Sequence, residues 1–238
     1  MLMSFILGCG TPSNKQTYNY AISDIVQNNW DSAIKNLDAT IKKSPDHERA
    51  YNSRILKSMI YLALAKNAKY EYEIYKDFSI LIPENKTLTP LVKAKENLRR
   101  RYLTSLDNEI KQIMKLHKNY KTPEFDLTEY KIMPYDPTQV TQDFFSKNYN
   151  PQHINDLTAK HANYAFASYF LVCTGQKGKV LDRPLKGNLN LPVYFSLLSK
   201  LMTKEKDKQL LNTGQELDKL VLSMTGKKVS TVINEFNQ

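Results

Sequence analysis

The chain has 238 residues, 41% hydrophobic and 24% charged, enough apolar surface to close a core without metals or disulfides. Seven glycines and ten prolines favour long helices over a many-turned β fold, and two cysteines, Cys9 and Cys173, exclude a disulfide framework. The formal charge of +10 suits an acidic partner, whether anionic headgroups, an acidic protein face or nucleic acid, and does not choose among them.

Residues 1–16 read as an export and tether segment. Met1 to Leu7 is apolar and runs into Ile6-Leu7-Gly8-Cys9. This resembles a bacterial lipobox: a small residue precedes the cysteine so that the chain can be cut there, and the Cys9 thiol takes the lipid. The polar stretch Gly10 to Gln16 would be the tether. Outer-membrane sorting fits the absence of Asp after Cys9. No other segment approaches the ~20 apolar residues of a membrane span.

Residues 17–120 carry helical periodicity throughout. Tyr18 to Asp46 predicts two helices about a turn at Asn28-Asn29, the second bearing Trp30, Ala33, Ile34, Leu37 and Ile41 before Pro45. This resembles a tetratricopeptide-repeat (TPR) unit. Trp30 opens the second helix, Ala33 is the small residue at the helix crossing, Leu37 and Ile41 are the large apolar positions, and Pro45 ends the helix. Asn28 stands where the family has Gly, Tyr20-Ala21 where it has Leu-Gly, and Thr40 where it has Ala. A second, looser unit is expected between Asp46, as helix cap, and Pro83. Its first helix carries Ala50, Tyr51, Ile55, Met59, Leu62 and Leu64; its second carries Tyr70, Tyr72, Ile74, Tyr75, Phe78 and Leu81. Pro45 and Pro83 lie 38 residues apart, against a TPR period of about 34.

Thr89-Pro90 predicts the start of a long helix, with Thr as cap and Pro at its first position. Leu91, Leu98, Tyr102, Leu106, Ile110, Ile113 and Tyr120 form its buried stripe. Lys95, Arg99, Arg100 and Arg101 make its other side the densest basic patch of the chain, able to meet headgroups or an acidic partner.

Residues 121–150 are rich in Pro, Asp and Tyr, with a short extended piece through Phe125, Leu127 and Tyr130, and read as a loop and a domain boundary. Residues 151–238 return to helix. One runs from Asn150-Pro151 to Cys173 with Gly175 as its stop, and its alanines suit close packing. A basic Gly-containing loop, 177–186, lacks the Walker spacing. Helices near Pro192–Thr203, Lys206–Thr225 and Val229–Phe236 complete the chain. Cys173 reads as a small buried apolar residue.

The fold expected is all-α: TPR-like helical hairpins of a solenoid with additional C-terminal helices. His47, His117, His153 and His161 make no zinc pattern, and no nucleophile elbow or dinucleotide fingerprint occurs, so no catalytic, metal or cofactor site is expected. The combined resemblance is to TPR lipoproteins of the bacterial envelope. It implies a non-enzymatic scaffold, lipid-anchored and facing the periplasm, that binds a protein partner in a groove. The first helix of each pair would line that groove, with Asn19, Ser23, Asn52 and Lys57 as candidates. The alternative is a cytoplasmic nucleic-acid binder using Arg99 to Arg101 and the 177–186 loop.

Overall fold

The computed structural model describes residues 12–120, 123–130, 151–175 and 185–237. Cys9, most of the 121–150 loop and nearly all of the basic 177–186 loop lie outside the described residues. The elements in order are α1 (Asn14–Val26), α2 (Trp30–Lys43), α3 (Glu48–Leu81), α4 (Leu88–Leu116), β1 (Glu124–Leu127), α5 (Pro151–Cys173), β2 (Leu185–Asn188), α6 (Leu191–Met202), α7 (Lys208–Thr225) and α8 (Val229–Asn237). The chain is mainly α-helical.

The first hairpin forms where it is expected. Ser13 caps α1 by accepting from Gln16 N. Asn28 takes a left-handed φ of 60°, with Asn28 N donating to Ile25 O and Asn29 N to Asp24 O. These are the paired bonds that stop a helix on a left-handed residue, and Asn is the side chain that tolerates this conformation in place of Gly. Ala21, Ile25, Ala33 and Leu37 are fully buried between the two helices. Thr40 is buried too, and its hydroxyl donates to Asn36 O at 2.9 Å, so the polar atom carries no desolvation penalty. Asp24 ties the pair together, accepting from Ser32 Oγ and Asn36 Nδ2, each at 2.7 Å.

The second expected hairpin does not form. Residues 48–81 are one continuous helix of 34 residues. The segment expected to turn, Leu64-Ala65-Lys66-Asn67-Ala68-Lys69, contains neither Gly nor Pro and is made largely of strong helix formers. The cap also differs: His47, not Asp46, precedes the helix, and its Nδ1 accepts from Arg49 N. Helix α4 begins two residues earlier than expected, after Thr87, so Pro90 sits inside the first turn, where its missing N–H costs nothing. Asn85 Oδ1 orders the connection by accepting from Thr87 N and Thr87 Oγ1.

Helices α3 and α4 pack along one another as an arm. At its tip, Tyr75, Phe78 and Leu88 form a small cluster of their own, beside exposed Ile80 and Leu81. At its base, Tyr51, Ile55, Met59, Leu106 and Ile110 join one large core with Phe166 and Phe170 of α5, Tyr194 and Phe195 of α6, and Leu217 and Val221 of α7. Regions 17–120 and 151–237 therefore share a core across the expected boundary. Strand β1 continues this link: it pairs antiparallel with β2, Phe125 opposite Gly187, and Phe125 packs edge-on against Phe170 at 5.9 Å. Cys173 is fully buried, and burial pushes its thiol up from the usual range.

Gly214 is where α7 crosses the end of α6. A Cβ there would stand 2.9 Å from Thr203 Cγ2 and 3.0 Å from Thr203 N. Gly214→Val is expected to cost roughly 2–3 kcal/mol by overpacking this crossing. Urea denaturation tests it; an unchanged midpoint would show that the two helices separate freely there.

Candidate functional site

The residues expected to line a partner groove differ in their access to solvent. Asn19 and Ser23 are exposed on α1, and Ser23 Oγ accepts from Gln27 Nε2. Asn52 is half-buried on α3. Lys57 is only 5% exposed and cannot face a partner. Its Nζ donates to Asp38 Oδ1 and Glu109 Oε1, both at 2.5 Å, and Glu109 also receives Arg54 at 3.0 Å. Burial alone would lower the Lys57 ammonium, but Glu109 and Asp38 outweigh it and hold the group above the ordinary lysine range.

The basic patch on α4 is largely neutralised by the fold. Lys95 pairs with Glu71 at 2.7 Å, Arg99 with Glu205, and Arg100 with Glu96 at 2.6 Å, while Arg101 is exposed. A solvated run of arginines would offer open phosphate contacts. Here two of its three members already hold carboxylates.

Arg99 and Arg100 lie instead on the wall of a broad cleft of about 1250 Å³ between the arm and helices α5 to α7. Leu62 and Leu103 of the arm, with Leu197, Leu201 and Leu210 of the C-terminal helices, supply its apolar lining. Around them seven cations face four carboxylates, a net of +3. Three carboxylates are engaged with arm or turn cations, Glu205 with Arg99, Glu96 with Arg100, and Glu73 with Lys69 at 3.7 Å. The fourth, Asp207, caps α7 through Gln209 N and Leu210 N. Lys66, Lys200, Lys204 and Lys206 have no carboxylate within ion-pairing distance among the described residues.

The inner wall is aromatic. The His161 ring on α5 stacks on Tyr70 of α3 with centroids 4.5 Å apart, and its Nδ1 lies 3.3 Å from Asn67 Oδ1. Lys66 Nζ sits 5.4 Å from the centre of the Tyr169 ring, within the range of a cation–π contact. Burial, and secondly the Lys66 charge, lower the His161 pKa to about 4. The imidazole is therefore neutral at physiological pH. Burial raises the Tyr169 hydroxyl to about 12.

This arrangement lines one cleft with charged, apolar and aromatic side chains. It offers excess positive charge over a leucine floor. Among the described residues no group of three or more His, Cys, Asp or Glu could hold a metal ion, and no helix is long and apolar enough to cross a membrane. Of the expected site residues only Arg99 and Arg100 line the cleft. Lys66, His161, Tyr169, Lys200 and Lys204 were not singled out as site residues by the sequence. Helical spacing puts Lys66 with Tyr70 on a common face (i, i+4), and Lys204 lies in the turn after α6, but nothing in the chain says that these parts converge. Compared with protein-family models, curated proteins and solved structures, the chain shows no significant match to any of them.

Proposed function

We propose that this chain is a non-enzymatic scaffold of the bacterial cell envelope, anchored through a lipid on Cys9 and facing the periplasm, that holds a segment of a partner protein in the cleft between the arm and helices α5 to α7. The cleft carries the proposal: its volume of about 1250 Å³ equals roughly ten residues of a helix about 10 Å across. The anchor rests on the Ile6-Leu7-Gly8-Cys9 pattern. Helices α1 and α2 are read as a TPR-type hairpin on the strength of Trp30, Ala33, Leu37 and the left-handed Asn28. A solenoid of further such hairpins has less support, because α3 is unbroken.

The test is done in the native cell with a photo-crosslinking residue at Thr104, in the cleft, or at Asn19, on α1. The same cells receive an alkyne palmitate analogue, with Cys9→Ala as the comparison. A discrete adduct from Thr104 but not Asn19, and label that disappears with Cys9→Ala, are the expected results. An adduct from Asn19 alone would move the partner to the α1 face. An unlabelled native chain would remove the lipid anchor.

A further inference from the structure

Where the fold draws a cation away from water, it generally supplies a carboxylate. Arg54 and Lys57 share Glu109, Lys95 has Glu71, Arg99 has Glu205 and Lys111 has Asp107. Lys66 is exposed and has no such partner. It lines the cleft, with the Tyr169 ring as its neighbour and no carboxylate in pairing distance among the described residues. The surrounding walls desolvate its ammonium and hold it below the ordinary lysine range. A lysine without a counter-ion, on a wall whose net charge is positive, is open to an anion. Neutral His161 beside it adds no competing positive charge.

We propose that the occupant of the cleft is an acidic amphipathic helix, and that Lys66 receives one of its carboxylates while the helix's apolar face settles on Leu103, Leu197 and Leu201. This rests on the reading of the cleft as the partner site. Three observations select a protein helix over a nucleic acid. The lining sets five leucines among its charged groups, an apolar surface that a phosphate backbone would not use. Arg99 and Arg100 are already paired. Both tyrosine rings on the wall have a group packed against them, Tyr70 by His161 and Tyr169 by Lys66, whereas single strands need open ring faces on which bases can stack. The acidic residues of the helix would meet Lys66 on one side of the cleft and Lys200 and Lys204 on the other, an electrostatic complement that also speeds encounter.

The experiment uses fluorescence anisotropy with the full chain and three labelled probes. The first is a peptide of roughly twelve residues, with leucines at helical spacing and glutamates elsewhere. The second is its Glu→Gln twin, and the third is an oligothymidine of similar charge. The wild type is expected to bind the acidic peptide about tenfold more tightly than the twin. Lys66→Gln is expected to lower that preference severalfold, with Lys200 and Lys204 holding the remainder. Lys66→Arg should keep most of it, and Lys86→Gln, at the arm tip, should leave it unchanged. Lys66 is exposed, so its variants are expected to unfold at the wild-type temperature. Equal binding by Lys66→Gln and wild type, no binding of the acidic peptide, or tighter binding of oligothymidine would each overturn the proposal. The crosslink from Thr104 would still decide separately whether the cleft is a partner site.

Discussion

Glu109→Gln is expected to lower the stability of the folded chain by about 3 kcal/mol. Glu109 is 8% exposed and is the shared acceptor for Lys57 and Arg54. Without its charge, the buried Lys57 ammonium keeps only Asp38, whose side chain is 55% exposed. Removing one partner of a buried pair costs more than the pair is worth, because the remaining charge stays desolvated. Asp38→Asn should cost under about 1 kcal/mol, since its carboxylate is largely in water. The Lys57 pKa is raised in the fold. Its contribution is therefore complete below the unfolded lysine pKa of about 10.4 and is lost only as pH rises through the higher folded value. The Lys57 part of the deficit should thus not vary between mildly acidic and mildly alkaline pH. Urea denaturation of both variants tests this, and equal losses for Glu109→Gln and Asp38→Asn would sink the account.

The second large effect is expected at Asp107, which is fully buried on α4. It accepts from Thr213 Oγ1 and Gln209 Nε2 of α7, each at 2.5 Å, and from Lys111 Nζ of its own helix at 2.8 Å. It is thus a polar fastening between the arm and the C-terminal helices. Asp107→Ala removes charge-assisted bonds and leaves Thr213, 1% exposed, without its acceptor. The expected cost is about 2–4 kcal/mol. The loss should be local as well as global: hydrogen exchange should accelerate in 208–225 before it does in 30–43. A uniform acceleration across both would show that Asp107 does not fasten α7 in particular.

Local periodicity made much of this architecture legible. Trp30, Ala33 and Leu37 located the first hairpin, and Asn28, in its expected turn, has a left-handed backbone. The Leu106, Ile110 and Ile113 stripe is buried as its spacing implied, and the three last helices fall within a few residues of their expected bounds. The misses share a cause. Placing a turn between Leu64 and Tyr70 imposed a repeat length on a segment whose own residues favour helix. Alternation at Phe125 and Leu127 gave one strand, but its partner, Leu185-Lys186-Gly187-Asn188, has no apolar alternation and comes from far along the chain. The cleft depends on five helices meeting. Its key lysine looks in sequence like any other lysine on a solvated face. Lys57 shows the opposite case: a residue that looks exposed by type is drawn inside by carboxylates 19 residues before it and 52 residues after it.

The unbroken length of α3 has a mechanical consequence. Thirty-four residues make a rod about 50 Å long, with its inner end fixed in the large core, Lys66 near its middle, and Ile80 and Leu81 at its free end. No Gly or Pro interrupts it, so it lacks the usual sites at which a helix kinks. Pivoting about its inner end, such a rod would move its tip about twice as far as Lys66, because the two lie about 50 Å and about 27 Å from that end. Any displacement of the rod at Lys66 would thus be seen enlarged, as the position of two exposed apolar side chains.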